Sequence, residues 1–144
     1  MKRLLTSLAL VLAAAACGGS DTAPSATIAI TAPTTGAQQP LGTDEHKSVG
    51  VTFTTTNFTF EPCASMTSGN CGHVHVLIDG ADCNSGGLPY NNPATSSPAQ
   101  AFFAACTHQT GAHTVTLELH HADHTSIKGA SGSTISSAVS FTTM

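Results

Sequence analysis

Seven of the eight histidines lie between His73 and His124, and two of them open the run Gly72-His73-Val74-His75-Val76-Leu77-Ile78-Asp79-Gly80. The other five are His108, His113, His120, His121 and His124. Neutral imidazole is the commonest protein metal ligand, and it titrates closest to physiological pH. The rest of the chain is rich in Thr and Ser, has no Trp, and offers no Cys-x-x-Cys thiolate pair. The histidines therefore carry the chemistry, provided that their rings converge.

Convergence depends on the elements that hold them, and the pattern of those elements is β throughout. Ala26 to Thr31 alternates and stops at Pro33. Val49, Val51 and Phe53 alternate with polar residues, and Phe58-Thr59-Phe60 follows. Gly72 to Asp79 is a strand closed by the turn dipeptide Asp79-Gly80. Ala112 to His121 alternates Val115, Leu117 and Leu119 with Thr114, Thr116, Glu118 and His120, and Ser133 to Thr142 closes the domain. Ala99 to Cys106 reads either as a strand or as a short helix capped at Ser97-Pro98, and the strand is the expectation. Short strands between Gly, Pro, Asn and Ser turns predict an all-β, antiparallel β-sandwich with Greek-key connections. Thr27 to Pro33 and Gly111 to Leu117 resemble the first and sixth strands of bacterial immunoglobulin-like domains, without the Cys…Trp…Cys signature of antibody-type ones.

That architecture places the histidines. Side chains alternate faces along a strand, so Val74, Val76 and Ile78 share one face and His73, His75 and Leu77 the other. Antiparallel pairing of the two central strands sets His73 and His75 beside His120, together on one outer face. Neighbouring strands lie about 4.8 Å apart and same-face neighbours about 6.5–7 Å apart, within reach of a common ion. Copper or zinc suits such nitrogen donors. His121 and His124 are candidates for a fourth position. His113 has core parity and reads as a packed corner residue, while His46 and His108 read as solvated loop residues. The competing interpretation is a set of surface polar residues with no ion.

The first residues bear on compartment. Met1-Lys2-Arg3 followed by the apolar stretch Leu4 to Ala16 reads as an export signal, too short to span a bilayer. Ala14-Ala15-Ala16-Cys17 resembles the bacterial lipoprotein signal, which implies lipidation of Cys17. Gly18 after it resembles lipoproteins sent to an outer membrane. The expected organisation is a signal over 1–16, a flexible tether over 17–25 and one sandwich domain over 26–144. Removing Cys17 leaves Cys63, Cys71, Cys83 and Cys106, an even number suited to disulfides in an oxidising compartment. Of three possible pairings, Cys63–Cys71 would clamp a turn and Cys83–Cys106 would staple the Pro-rich loop, and this pairing is favoured. Beyond the signal only Lys47 and Lys128 face eight acidic residues, which excludes nucleic acid as a partner.

Two resemblances bear on function. Gly72-His73-Val74-His75, the loop from Asp79 to Pro93, and Leu119-His120-His121-Ala122-Asp123 look like the copper-ligand strands and disulfide loop of Cu,Zn superoxide dismutases. That resemblance implies His73, His75 and His120 as copper ligands and Cys83 as a disulfide cysteine. Tyr90 stands where that family's bridging histidine would be, and its zinc-ligand segment is absent. The chain also resembles small exported bacterial domains of unassigned function that pair a His-x-His-x-x-x-Asp-Gly strand with a later Gly-x-His-Thr-Val…Ala-Asp-His segment. This second resemblance covers His113 and His124 as well, and is preferred. Three functions follow: an anchored, non-catalytic metal-binding domain with an envelope or metal-handling protein as partner, a dismutase-like copper enzyme, or a structural or adhesive module. No Ser-His-Asp or Cys-His arrangement supports nucleophilic hydrolysis, and the non-catalytic metal-binding domain is the reading adopted.

Overall fold

The computed structural model describes residues 25–84 and 86–144. The expected signal, Cys17 and all of the tether but Ser25 lie outside the described residues. Among the described residues no helix is long and apolar enough to cross a membrane.

The described residues form nine strands, the long ones built on alternating apolar residues: β1 (Thr27–Ala32), β2 (Gln38–Gln39), β3 (Ser48–Thr56), β4 (Thr59–Phe60), β5 (Cys71–Ile78), β6 (Asn92–Ala94), β7 (Ala99–Phe102), β8 (Gly111–His120) and β9 (Ser136–Thr143). They form two sheets. One is the antiparallel set β1-β3-β7, and the other has the order β2-β9-β8-β5-β4, with β6 also pairing β5. Ile28, Val49, Val51, Phe53, Ala99 and Ala101 face Val74, Val76, Ile78, Val115, Leu117, Leu119, Val139 and Phe141 in a common core. Each large aliphatic side chain buried this way contributes about 1.5–3 kcal/mol.

Two expectations change. The architecture is not wholly antiparallel, because the two-residue strands β2 and β4 run parallel to β9 and β5. The ambiguous segment splits: Ala99–Phe102 pairs with β3, and Phe103–Ala105 turns as a 3-10 helix that buries Phe103. Both disulfides, Cys63–Cys71 and Cys83–Cys106, are present as the favoured pairing has them.

The site depends on the β5–β8 pairing. β5 and β8 are antiparallel, with His73 opposite His120 and His75 opposite Glu118. Gly72 makes the close approach at this end possible, since a Cβ there would overlap the carbonyl oxygen of His120. Burial, however, is not one-sided. The run from Gly72 to Val76 is buried on both faces, so the face carrying His73 and His75 is covered rather than solvent-facing.

Candidate metal centre

His73 and His75 project from β5 on the side away from the sandwich core. His73 is 4% exposed and His75 3% exposed. Three segments cover them. The first is the chain around Glu61, held by the parallel ladder between β4 and β5 and by a hydrogen bond from the Glu61 amide to the Gly72 carbonyl oxygen (2.9 Å). The second carries Tyr90, whose ring lies 3.8 Å, centroid to centroid, from that of His75. The neighbouring Asn91 fixes it: Nδ2 donates to the carbonyls of Cys83 (2.7 Å) and Phe102 (2.9 Å), and Oδ1 accepts from the Phe102 amide (2.8 Å). The third is the turn after β8, residues 121–125, which brings His124 over the pair.

The result is a triad of ring nitrogens. His73 Nε2 lies 2.9 Å from His75 Nε2 and 3.2 Å from His124 Nδ1, and the last two are 3.0 Å apart. Among the described residues this is the group of three side chains whose geometry could hold a metal ion.

The turn that delivers His124 is locally determined. The Asp123 carboxylate accepts from the Thr125 hydroxyl (2.6 Å) and amide (3.0 Å), and these two bonds hold its pKa below the usual carboxylate range. The His124 amide donates to the His121 carbonyl, and the Asp123 amide to that of Met66. His124 itself has a φ of +69°, a left-handed conformation that costs a non-glycine residue on the order of 1 kcal/mol or more and is enriched at functional sites. Its carbonyl is held in place by His120, whose Nδ1 donates to it at 2.8 Å.

Proton positions explain why three imidazoles in this arrangement suit a cation. His73 Nδ1 stands 2.6 Å from a Glu61 carboxylate oxygen, so it carries the proton and leaves Nε2 with a free lone pair. A ring nitrogen either donates or accepts, never both. Three mutually adjacent nitrogens therefore cannot satisfy all three contacts with any set of neutral tautomers. A bound cation accepts all three lone pairs at once. With an ion bound, Glu61 would orient one ligand and raise its basicity, as carboxylates behind metal-bound histidines do.

The separations also fit. With metal–nitrogen bonds of about 2.0–2.1 Å, distances of 2.9–3.2 Å leave angles of roughly 90–105° at the ion. A planar three-coordinate ion would need about 3.5 Å between nitrogens. The triad is thus a pyramidal cap suited to an ion with at least one more ligand. His75 is ready to coordinate: burial, and then the charges of His120, His73 and His124, push its pKa down to about 3. The ring is therefore uncharged at neutral pH, as a metal ligand must be.

The remaining sequence candidates are placed as follows. His120 lies beside the triad, its ring stacked 3.7 Å from that of His75, but its nitrogens turn elsewhere, Nδ1 to the His124 carbonyl and Nε2 toward Glu118 (3.2 Å). His124, expected only as a fourth ligand, takes the third position. His121 stands outside the triad with its Nδ1 buried and unbonded. Glu61 and Tyr90 had no place in the expected site. His113 is buried at the far end of β8, where Nδ1 meets Asp79 Oδ2 at 2.7 Å and the ring packs edge-on against Phe103. His46 is exposed and stacks on Phe102, and His108 is exposed.

The chain matches no protein-family model, no curated protein and no solved structure. It is a β-rich, two-sheet protein with two disulfides and a buried three-histidine cluster able to hold a metal ion.

Proposed function

We propose that this chain is a lipid-anchored, non-catalytic envelope domain that binds one copper or zinc ion through His73, His75 and His124. The observation that carries the reading is the triad itself: three ring nitrogens within 3.2 Å of one another, two of them on buried rings. An all-nitrogen donor set suits copper or zinc and is a poor match for magnesium or calcium, which take oxygen. The anchor rests on the Ala14-Ala15-Ala16-Cys17 sequence, and the outer membrane as its destination on Gly18. The partner would be an envelope or metal-handling protein.

Calorimetric titration of the domain from residue 26 onward with copper and zinc at neutral pH tests the reading. One saturable site is expected. His75→Ala and His124→Ala each remove tight binding, and His46→Ala leaves it unchanged. His120→Gln retains a saturable site, because Nδ1 is bonded to the His124 carbonyl and Nε2 points to Glu118, both away from the triad. A purely structural module would show no stoichiometric binding and no difference among these variants.

A further inference from the structure

At the start of β1, Thr27 pairs with Thr56, the last residue of β3, and the Ser25 carbonyl accepts a hydrogen bond from Asn57 Nδ2 (3.4 Å). Asn57 leads into β4, which runs beside the start of β5, and Glu61 just beyond it meets His73. The turn carrying His124 follows the last residue of β8, His120, which lies opposite His73. The opposite end of the sandwich is where Gly111 opens β8 beside Thr143, the last residue of β9. The chain from Cys17 therefore joins the sandwich at the end that holds the triad. Distance then limits how the domain can turn. Ser25 follows Cys17 by eight residues, and a chain of that length spans at most about 26–29 Å. β8 has ten residues and measures roughly 31 Å from first to last Cα at about 3.4 Å per residue, before the loops at either end are added. With Cys17 held in a bilayer, an inverted domain, its far end on the lipid and its triad pointing away, is out of reach.

We propose that the anchor holds the triad end of the domain beside the membrane, and that the ion is exchanged there with a membrane-embedded protein carrying its own metal donors. The proposal rests on the metal-binding and lipid-anchor readings above and deepens them by naming where the partner lies. His124, the exposed member of the triad, sits on a turn at this end. The bilayer itself is a poor occupant of the space below. Glu61 and Asp123 are exposed acids at this end and give it no attraction for anionic headgroups. Lipid phosphates offer oxygen, whereas copper and zinc suit nitrogen and sulfur donors. A protein partner in the membrane can present such donors at a fixed height, within the span of the anchor. In the exchange the three metal–imidazole bonds break and bonds to the partner's donors form. The ion keeps its charge throughout, so no oxidant or reductant is consumed.

The test uses the mature, lipidated chain in phosphatidylcholine vesicles. A fluorescent non-natural side chain replaces Thr67, exposed in the loop whose Met66 carbonyl holds the His124 turn, or Thr110, exposed just before β8 at the far end. Energy transfer to an acceptor on the lipid headgroups is expected to be at least about twofold more efficient from position 67. A Gly/Ser insert of about 24 residues after Ser20 lifts the maximum span past the length of the domain and should bring the two positions level. In a second series the copper-loaded or zinc-loaded protein meets a nitrilotriacetate chelator, either on a lipid headgroup of the same vesicle or free in solution. The insert should slow transfer to the lipid-borne chelator at least about fivefold and leave transfer to the free one unchanged. Equal energy transfer from the two positions in the parent, or more from position 110, overturns the orientation. Transfer to the lipid-borne chelator that ignores the insert overturns exchange at the membrane. A protein that loads no ion refutes the metal reading, and a loaded protein that stays off the vesicles refutes the anchor, so these failures are distinguishable from that of the proposal.

Discussion

The Glu61–His73 pair gives the most discriminating single test. Glu61 Oε1 and His73 Nδ1 are 2.6 Å apart, short enough for a charge-assisted hydrogen bond. The carboxylate fixes the Nδ1–H tautomer and raises the basicity of Nε2, the atom in the triad. Loss of such a carboxylate from behind a ligating histidine typically costs 10–100-fold in metal affinity. The Glu61 side chain is 35% exposed while that of His73 is 5% exposed. Water screens part of the charge, which places Glu61→Gln near the lower limit, about tenfold or about 1.4 kcal/mol. The amide oxygen of that variant can still accept from Nδ1, so the tautomer survives and only the charge is lost. Glu61→Leu removes both and should approach a hundredfold loss. The assay is competition for copper and zinc against a chromophoric chelator, paired with urea unfolding of the metal-free protein. Because Glu61 is an edge residue of partial exposure, unfolding of the Gln variant should shift by less than about 1 kcal/mol. Affinities of both variants within twofold of the parent would refute the reasoning. A loss of affinity matched by an equal loss of metal-free stability would make Glu61 a fold residue instead.

Two further outcomes follow from the same geometry. In the metal-free protein the His75 pKa is about 3, below the 6.5 of a free imidazole, so at acid pH the unfolded chain takes up a proton that the folded chain refuses. Stability from this group is fully present above about pH 6.5 and is lost progressively as pH drops toward 3; urea unfolding of the parent between pH 7 and 4.5 should lose on the order of 1–3 kcal/mol more than the same measurement on His75→Gln, and equal losses would contradict it. Replacing Cys63 and Cys71 together by Ser should destabilise the domain by about 2–3 kcal/mol and also weaken metal binding by about tenfold through Glu61, whereas replacing Cys83 and Cys106 should destabilise it by about 3–4 kcal/mol and leave chelator-competition affinities nearly unchanged.

Much of the fold was legible because long strands advertise their period. β3, β5 and β8 alternate over eight to ten residues, and their pairing set His73 opposite His120 as expected. The parallel pairings escaped for the opposite reason. β2 and β4 have two residues each, too few to show any period, and their direction is set by contacts distant in sequence. The exchange of His120 for His124 has a related cause. Strand register fixes where a Cβ lies but not where a ring nitrogen points. His120 turns its Nδ1 to the His124 carbonyl, and that bond helps to hold His124 over the pair. The turn that presents His124 leans on Met66 through a backbone hydrogen bond across more than fifty residues, which no local pattern encodes.

Glu61 is the instructive case, because the information was present and lay in the cysteines. Glu61 precedes Cys63 by two residues, and His73 follows Cys71 by two. Closing Cys63 onto Cys71 brings those two positions toward each other across the ends of an eight-residue separation. The parallel ladder of β4 on β5 then completes the approach, with the Glu61 amide on the Gly72 carbonyl and the carboxylate on the next ring along. A predicted disulfide thus constrains its flanking residues as well as its own sulfurs. At equal offsets on either side of it, an acid and a histidine form a candidate carboxylate–imidazole pair before any coordinates exist. The second disulfide shows what the rule requires. Cys83 and Cys106 have Ala81 and His108 at the corresponding offsets, so the position matching Glu61 is not an acid, and His108 is exposed.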